Sequence, residues 1–417
     1  MKIWLYVFFS FLFTTAVFSE TPQKAKGTKT APGADILLAE RMDLIKGKRL
    51  GIVTNHSALL SNGVHLVDTL FHRKDVKISA LFGPEHGIRG DAPDGTTISH
   101  GKDAKTGLEV YSLYGKVYKP TKEMLHDVDV LIYDIQDVGA RFYTFISTLF
   151  YTVQAGAENN IPVIVLDRPN PITGIKVDGP VRKEDLSSFV GIAPIPIMHG
   201  LTIGELATLF NESGMLGKNL KAKLTVVKME NWKRDDYYDE TGLKWVKPSP
   251  NIPDLETAIV YPGMCLIEGT NMSEGRGTHA PFLTFGAPYI NSDELKNELL
   301  KLNIKGASFE NTVYTPVEIP NMASDPKFQG EKVNGLKLNV TDRKAFEPVE
   351  FGIKLIYAVH KLYPDKFRFS DARFDRLSGD RAIRNEILSN KPVSEIIKGW
   401  QNELNKFRTL RKKYLLY

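Results

Sequence analysis

Residues 83–87 read Gly-Pro-Glu-His-Gly and close an apolar run that begins at Val76. A tight turn asks for glycine and proline. It does not ask for Glu85 beside His86, with Arg89 and Asp91 a few residues on. Partial burial can drive a carboxyl group at such a place to keep its proton and act as a general acid. A second stretch, 133–137, brackets a strand end with Asp134 and Asp137, sets Gln136 between them, and is followed by Arg141 and Tyr143. Asp137 can also cap the next helix, whereas Arg141 in a first helical turn opposes the dipole and asks for an anionic partner. A third, 268–276, supplies Glu268, Asn271, Glu274 and Arg276 among glycines that let backbone approach a ligand closely. Paired carboxylates with aromatics and an arginine suit glycoside hydrolysis. One acid protonates the leaving oxygen while a second carboxylate supports the oxocarbenium-like centre.

These residues need a scaffold, and four short apolar runs provide one: 49–57, 76–86, 128–137 and 161–171. Helix-like stretches separate them, notably 65–73 and 141–160. The alternation predicts an α/β fold, with a Rossmann-like parallel sheet over 34–200. In such sheets ligands bind beyond the carboxyl ends of the strands. That edge receives Asn55, His56, Glu85, His86, Arg89, Asp134, Gln136, Asp137 and Arg168. No G-x-G-x-x-G follows the first strand and no Walker pattern occurs, so neither a nucleotide nor any other cofactor is expected. Thr202 and Glu205 form a capping box for a helix that opens a second α/β domain, 201–417, with the active site in the cleft between the two. Ser292 is expected to cap a later helix, and Arg408, Arg411, Lys412 and Lys413 to form a solvated face.

The 417 residues, 42% hydrophobic and 25% charged, are enough for a large core. Scattered charge totalling +5 gives no nucleic-acid footprint. The first 19 residues carry Lys2, an apolar stretch from Ile3 to Phe18 and small residues before a cut after Ser19. They read as a secretory signal, followed by a flexible leader over 20–33. Export to a periplasm-like compartment follows, with a lone Cys265 read as core.

Eight ordered motifs, GIVTNHS, ALFGPEHGIRG, VDVLIYDIQDVGARFYTFISTL, VLDRPNPITG, HGLTIGELA, PSPNIPDLETAIVYPG, EGTNMSEGRGT and the terminal RKKYLLY, resemble the exo-β-N-acetylmuramidases of glycoside hydrolase family 171 from Ala34 to Tyr417. The resemblance implies release of N-acetylmuramic acid from the non-reducing end of peptide-free peptidoglycan fragments, with Glu85 as the catalytic glutamate. Muramic acid carries a lactyl carboxylate, for which Arg141 or Arg276 is the expected cation. The second carboxylate is Asp134, Asp137 or Glu274, either reacting itself or orienting an attacking 2-acetamido group. Two other readings use the same residues. One is a metal-dependent hydrolase drawing on His56, His86 and His199, although no H-E-x-x-H spacing occurs. The other is a periplasmic solute-binding protein.

Overall fold

The structure, a computed structural model, describes residues 1, 29–90 and 100–417. The expected signal segment beyond Met1 and most of the leader lie outside these residues. Among the described residues no helix is long and apolar enough to cross a membrane.

Seven strands form the large sheet: β1 (Arg49–Thr54), β2 (Lys77–Gly83), β3 (Gly101–Lys102), β4 (Glu109–Ser112), β5 (Val130–Asp134), β6 (Val163–Leu166) and β7 (Leu224–Val227), in the order β3-β4-β2-β1-β5-β6-β7. All are parallel except the short β3, which runs against β4. The four apolar runs of the sequence are β1, β2, β5 and β6, and every residue of β5 and β6 is buried. Alternation decides which way each side chain points. Leu131 and Tyr133 pack into one core with the helix Phe145–Glu158. Val130 and Ile132 pack into the opposite core with the helices Gly33–Glu40 and Leu66–Phe71. Two covered faces explain why the strands read as continuous apolar runs.

The capping box forms as expected. Thr202 Oγ1 accepts from the Glu205 N–H at 3.2 Å and Glu205 Oε2 from the Thr202 N–H at 3.0 Å. Its helix, Ile203–Glu212, and β7 both belong to the large-sheet layer, so that layer continues past residue 200, where the sequence places a boundary. Order also begins before Ala34. Ala31 pairs with Glu230, and the Gly33 N–H donates to the Asp167 carbonyl at 2.9 Å.

The C-terminal part has a smaller antiparallel sheet of β8 (Thr284–Ala287), β9 (Ala307–Tyr314) and β10 (Val333–Val340), in the order β8-β10-β9. Asn291, not Ser292, caps the helix Ser292–Lys301, accepting from the N–H groups of Asp293 and Glu294. The helices Leu255–Met264 and Pro348–Leu362 touch backbone to backbone. A Cβ on Gly263 would stand 1.8 Å from the Pro348 carbonyl oxygen, and one on Gly352 would stand 2.3 Å from the Gly263 carbonyl oxygen. Gly352→Ala should therefore destabilise the fold by about 3 kcal/mol, read as a lower midpoint in urea. An unchanged midpoint would mean that the helices do not meet there.

The basic C-terminal cluster is not wholly a solvated face. Arg411 donates to the carbonyls of Gly174 and Gly200 at 3.0 and 2.8 Å, and Arg408 to that of Val177 at 2.8 Å. The last residue, Tyr417, donates its hydroxyl to Asp167 at 2.8 Å. These bonds strap the terminal helix across the first layer.

Candidate active site

A cavity of about 380 Å3 opens where the carboxyl ends of β2, β4 and β5 face the C-terminal loops. From the sheet side it is lined by Glu85 and His86 after β2, Tyr114 after β4, and Phe142, Tyr143 and Thr144 after β5. From the other side come Tyr261 and Cys265, then Glu268, Glu274, Arg276, Lys327 and Arg373.

Glu85 owes its place to backbone geometry. His86 and Gly87 both take left-handed conformations, φ 71° and 74°, and reverse the chain directly after the carboxylate. Such a conformation is costly for histidine. It is held by burial, with the imidazole edge-on to Phe145 at 6.5 Å. Thr144 stands at the N-cap of Phe145–Glu158, yet its side chain caps nothing in the helix. Its hydroxyl donates to Glu85 Oε2 at 2.7 Å instead. The turn and the threonine together fix the acid.

The opposite wall is a charge cluster. Gly275, at φ 80°, leaves no room for a Cβ against the Thr284 carbonyl oxygen at 2.3 Å, which sets Glu274 and Arg276 on either side of a tight turn. Arg276 reaches Glu268 at 3.0 Å and Glu274 at 3.6 Å, and lies over the Phe282 ring at 5.2 Å. Lys327 donates to Glu274 at 3.1 Å and to the carbonyls of Ile267 and Met272 at 3.1 and 2.9 Å. Arg373 donates to Glu268 at 2.8 Å. Burial pushes the Glu268 carboxyl up, but Arg276 and Arg373 outweigh it and hold it below the usual carboxylate range. Two carboxylates face three cations, so this wall presents an excess of positive charge. Burial raises the Cys265 thiol well above its ordinary value, which leaves it a poor nucleophile beside the cavity.

Of the residues singled out in the sequence, the cavity therefore gathers Glu85, His86, Tyr143, Glu268, Glu274 and Arg276. Asp91 lies outside the described residues, and the others serve the scaffold. Asp134 and Arg168 form a fully buried pair with bonds of 2.6 and 3.0 Å, on the face of the sheet opposite the helix Phe145–Glu158. Burial works against the Arg168 charge, and Asp134 more than offsets it. Arg141 has no carboxylate partner among the described residues. Its guanidinium donates to the carbonyls of Pro180, Ile195 and Leu377 at 2.7, 3.0 and 2.6 Å, and burial lowers its pKa to about 9. It ties the β5 loop to the helix that carries Arg373. Asn55 Oδ1 accepts from Ser57, and Gln136 donates to the carbonyls of Asp137 and Pro169. Arg89 pairs with Asp103 and Asp68, and Asn271 bridges Tyr289, Lys366 and Arg368.

The histidines of the metal alternative have separate duties. His56 donates to the Lys247 carbonyl at 2.6 Å, while His199 Nδ1 accepts from the Leu201 N–H at 3.1 Å. Among the described residues no group of three or more His, Cys, Asp or Glu is arranged to hold a metal ion. Thr144, Lys327 and Arg373 are not among the residues that the sequence singles out. The last two come from loops and helices far along the chain, with no local motif to mark them.

Asp137 is neither helix cap nor cavity acid. Its Oδ2 accepts from the Gly139 N–H at 2.7 Å and lies 3.8 Å from His199 Nε2. Burial lifts its pKa to about 7 and depresses that of His199 to about 3. The Asp137 contribution to stability is present below its unfolded value of about 4 and is lost as pH rises through about 7. His199 acts oppositely, losing stability as pH falls from its ordinary value toward about 3. Asp137→Asn should thus remove roughly 3 kcal/mol of the stability loss between pH 5 and pH 8. Parallel urea melts at the two pH values measure this, and equal losses in variant and wild type would contradict it.

Residues 50–256 match the family model described as exo-beta-N-acetylmuramidase NamZ, N-terminal, and residues 259–417 match its C-terminal counterpart. The chain is 48% identical over 396 residues to the peptidoglycan beta-N-acetylmuramidase NamZ of Bacillus subtilis (strain 168), covering 95% of this chain and 93% of that protein. Two crystal structures of DUF1343 family proteins from Bacteroides fragilis NCTC 9343 are similar in fold. The first has a TM-score of 0.86 at 36% identity, covering 93% of this chain and 99% of the other. The second has a TM-score of 0.77 at 34% identity, covering 94% and 99%.

Proposed function

The chain belongs to the exo-beta-N-acetylmuramidase NamZ family, and on that premise we propose that this glycosidase removes N-acetylmuramic acid, one unit at a time, from the non-reducing end of peptide-free peptidoglycan fragments. The observation that carries the reading is the pairing of Glu85, held by Thr144, with a cation-rich wall in one cavity. N-Acetylmuramic acid differs from N-acetylglucosamine by a lactyl ether ending in a carboxylate. A site selecting it needs a cation, and the excess positive charge of Arg276, Lys327 and Arg373 over Glu268 and Glu274 supplies one. Lys327 is committed to backbone carbonyls, so Arg276 and Arg373 receive the lactyl group. The planar guanidinium fork suits a carboxylate.

In this mechanism Glu85 protonates the glycosidic oxygen as the bond breaks. The 2-acetamido oxygen attacks the anomeric carbon, and Glu274 accepts the acetamide N–H to orient it. Water then opens the cyclic intermediate, and Glu85 takes back a proton. No residue forms a covalent bond to the sugar. The sequence of the first 19 residues supports export, which would place the activity in a periplasm-like compartment where peptidoglycan fragments arise.

Time-resolved digestion of peptide-free glycan strands tests the proposal. Free N-acetylmuramic acid should be the sole early product from strands that begin with it, and strands beginning with N-acetylglucosamine should resist. Early release of disaccharides from strand interiors would overturn the exo-acting reading.

A further inference from the structure

Beside Glu85, Tyr114 lines the cavity, and Tyr118 and Phe189 continue its aromatic surface outward. In the parallel register Gly83 of β2 sits opposite Ser112 of β4. Two residues beyond each lie Glu85 and Tyr114, so the acid and the first aromatic leave neighbouring strands together. Tyr114 meets Tyr118 edge-on at 6.1 Å and Phe189 at 5.8 Å, and Tyr118 leans on Phe189 at 4.3 Å. Tyr151 stacks behind Phe189 at 6.4 Å with an interplanar angle of 11°. None of these rings is buried, and Tyr118 is 37% exposed. The ledge is anchored. Ser147, one turn before Tyr151 on the helix Phe145–Glu158, donates to the Phe189 carbonyl at 2.6 Å. Half-buried aromatics held this firmly, with Tyr118 exposed, need a reason, since full burial would stabilise them more.

We infer that Tyr114, Tyr118 and Phe189 form a further saccharide subsite, which stacks the sugar on the leaving-group side of the scissile bond. The inference rests on the glycosidase reading above and says where the departing half of the substrate lies. A general acid must touch the glycosidic oxygen, so the two sugars joined by that oxygen lie on either side of Glu85. The charged wall takes the sugar bearing a carboxylate. The neutral neighbour, an N-acetylhexosamine, offers a pyranose face of C–H groups that matches an apolar ring surface bearing hydroxyl tips. An uncharged sugar gains nothing from the cations and fits the ledge. Binding energy collected there can be used to hold the bond against Glu85, so its loss lowers turnover as well as affinity.

The test compares two substrates of the purified protein: the disaccharide of N-acetylmuramic acid β-linked to N-acetylglucosamine, and the β-fluoride of N-acetylmuramic acid, whose leaving group has no ring to stack. In Tyr118→Ala and Phe189→Ala the ratio of kcat/KM for the disaccharide to that for the fluoride should fall about tenfold, the worth of one lost aromatic contact. Tyr118→Trp, which keeps a ring, should hold the ratio within a few-fold of wild type. A ratio unchanged in both alanine variants would overturn the subsite while leaving the glycosidase reading in place. Wild-type protein that cleaves neither substrate would overturn that reading itself, and the subsite with it.

Discussion

Glu85→Gln should cut turnover on the muramyl disaccharide by about two to four orders of magnitude, the usual worth of a positioned general acid, with an unfolding curve that matches wild type. Glutamine has the same shape, and the Thr144 hydroxyl can still donate to its carbonyl oxygen across the 2.7 Å now spanned to Glu85. The amide has no proton to give. The loss should therefore depend on the leaving group. It should be large for a sugar alkoxide, which needs protonation, and far smaller for fluoride or a dinitrophenolate, which do not. A loss of the same size on every leaving group would show that Glu85 positions the substrate and does not protonate it.

Arg168→Met should cost about 3–5 kcal/mol of stability, because it strands the Asp134 carboxylate in the interior. Asp134 is fully buried, and the Arg168 side chain is only 3% exposed. Neither residue touches the cavity, so kcat per folded molecule should barely move. Replacing both partners, Asp134→Leu with Arg168→Met, should recover much of the loss, since a well-packed apolar pair can match a buried ion pair. Urea denaturation of the two variants decides it. A single variant within 1 kcal/mol of wild type would mean that the pair is not sealed from water.

The contrast between Glu85 and Asp134 shows what was legible. Both stand at or just past a strand end on the ligand edge, and strand ends were readable from the apolar runs. The direction of the side chain lies in the alternation along the strand. Asp134 has the parity of Val130 and Ile132, which face the core behind the sheet, where Arg168 meets it. Glu85 lies beyond its strand, where the left-handed turn at His86 and Gly87 sets its course. Arg141 misled for a related reason. A charged residue at a helix start asks for acceptors, and three backbone carbonyls supply them as well as a ligand would. Glu274 and Arg276 were visible because their partners are local to one glycine-rich loop. Lys327 and Arg373 join them only through the tertiary fold, Lys327 from 53 residues beyond Glu274.

The central claim is that one cavity joins an acid to a cation-rich wall selective for the lactyl carboxylate. The most direct measurement sets a chromogenic β-N-acetylmuramide against the matching β-N-acetylglucosaminide, each with and without chelator, using wild-type protein, Arg373→Gln and Arg276→Gln. The account predicts rapid release from the muramide, little from the glucosaminide, no effect of chelator, and a preference that shrinks about tenfold when one charged contact is removed. Equal cleavage of both sugars, or a preference untouched by Arg373→Gln and Arg276→Gln alike, would contradict it.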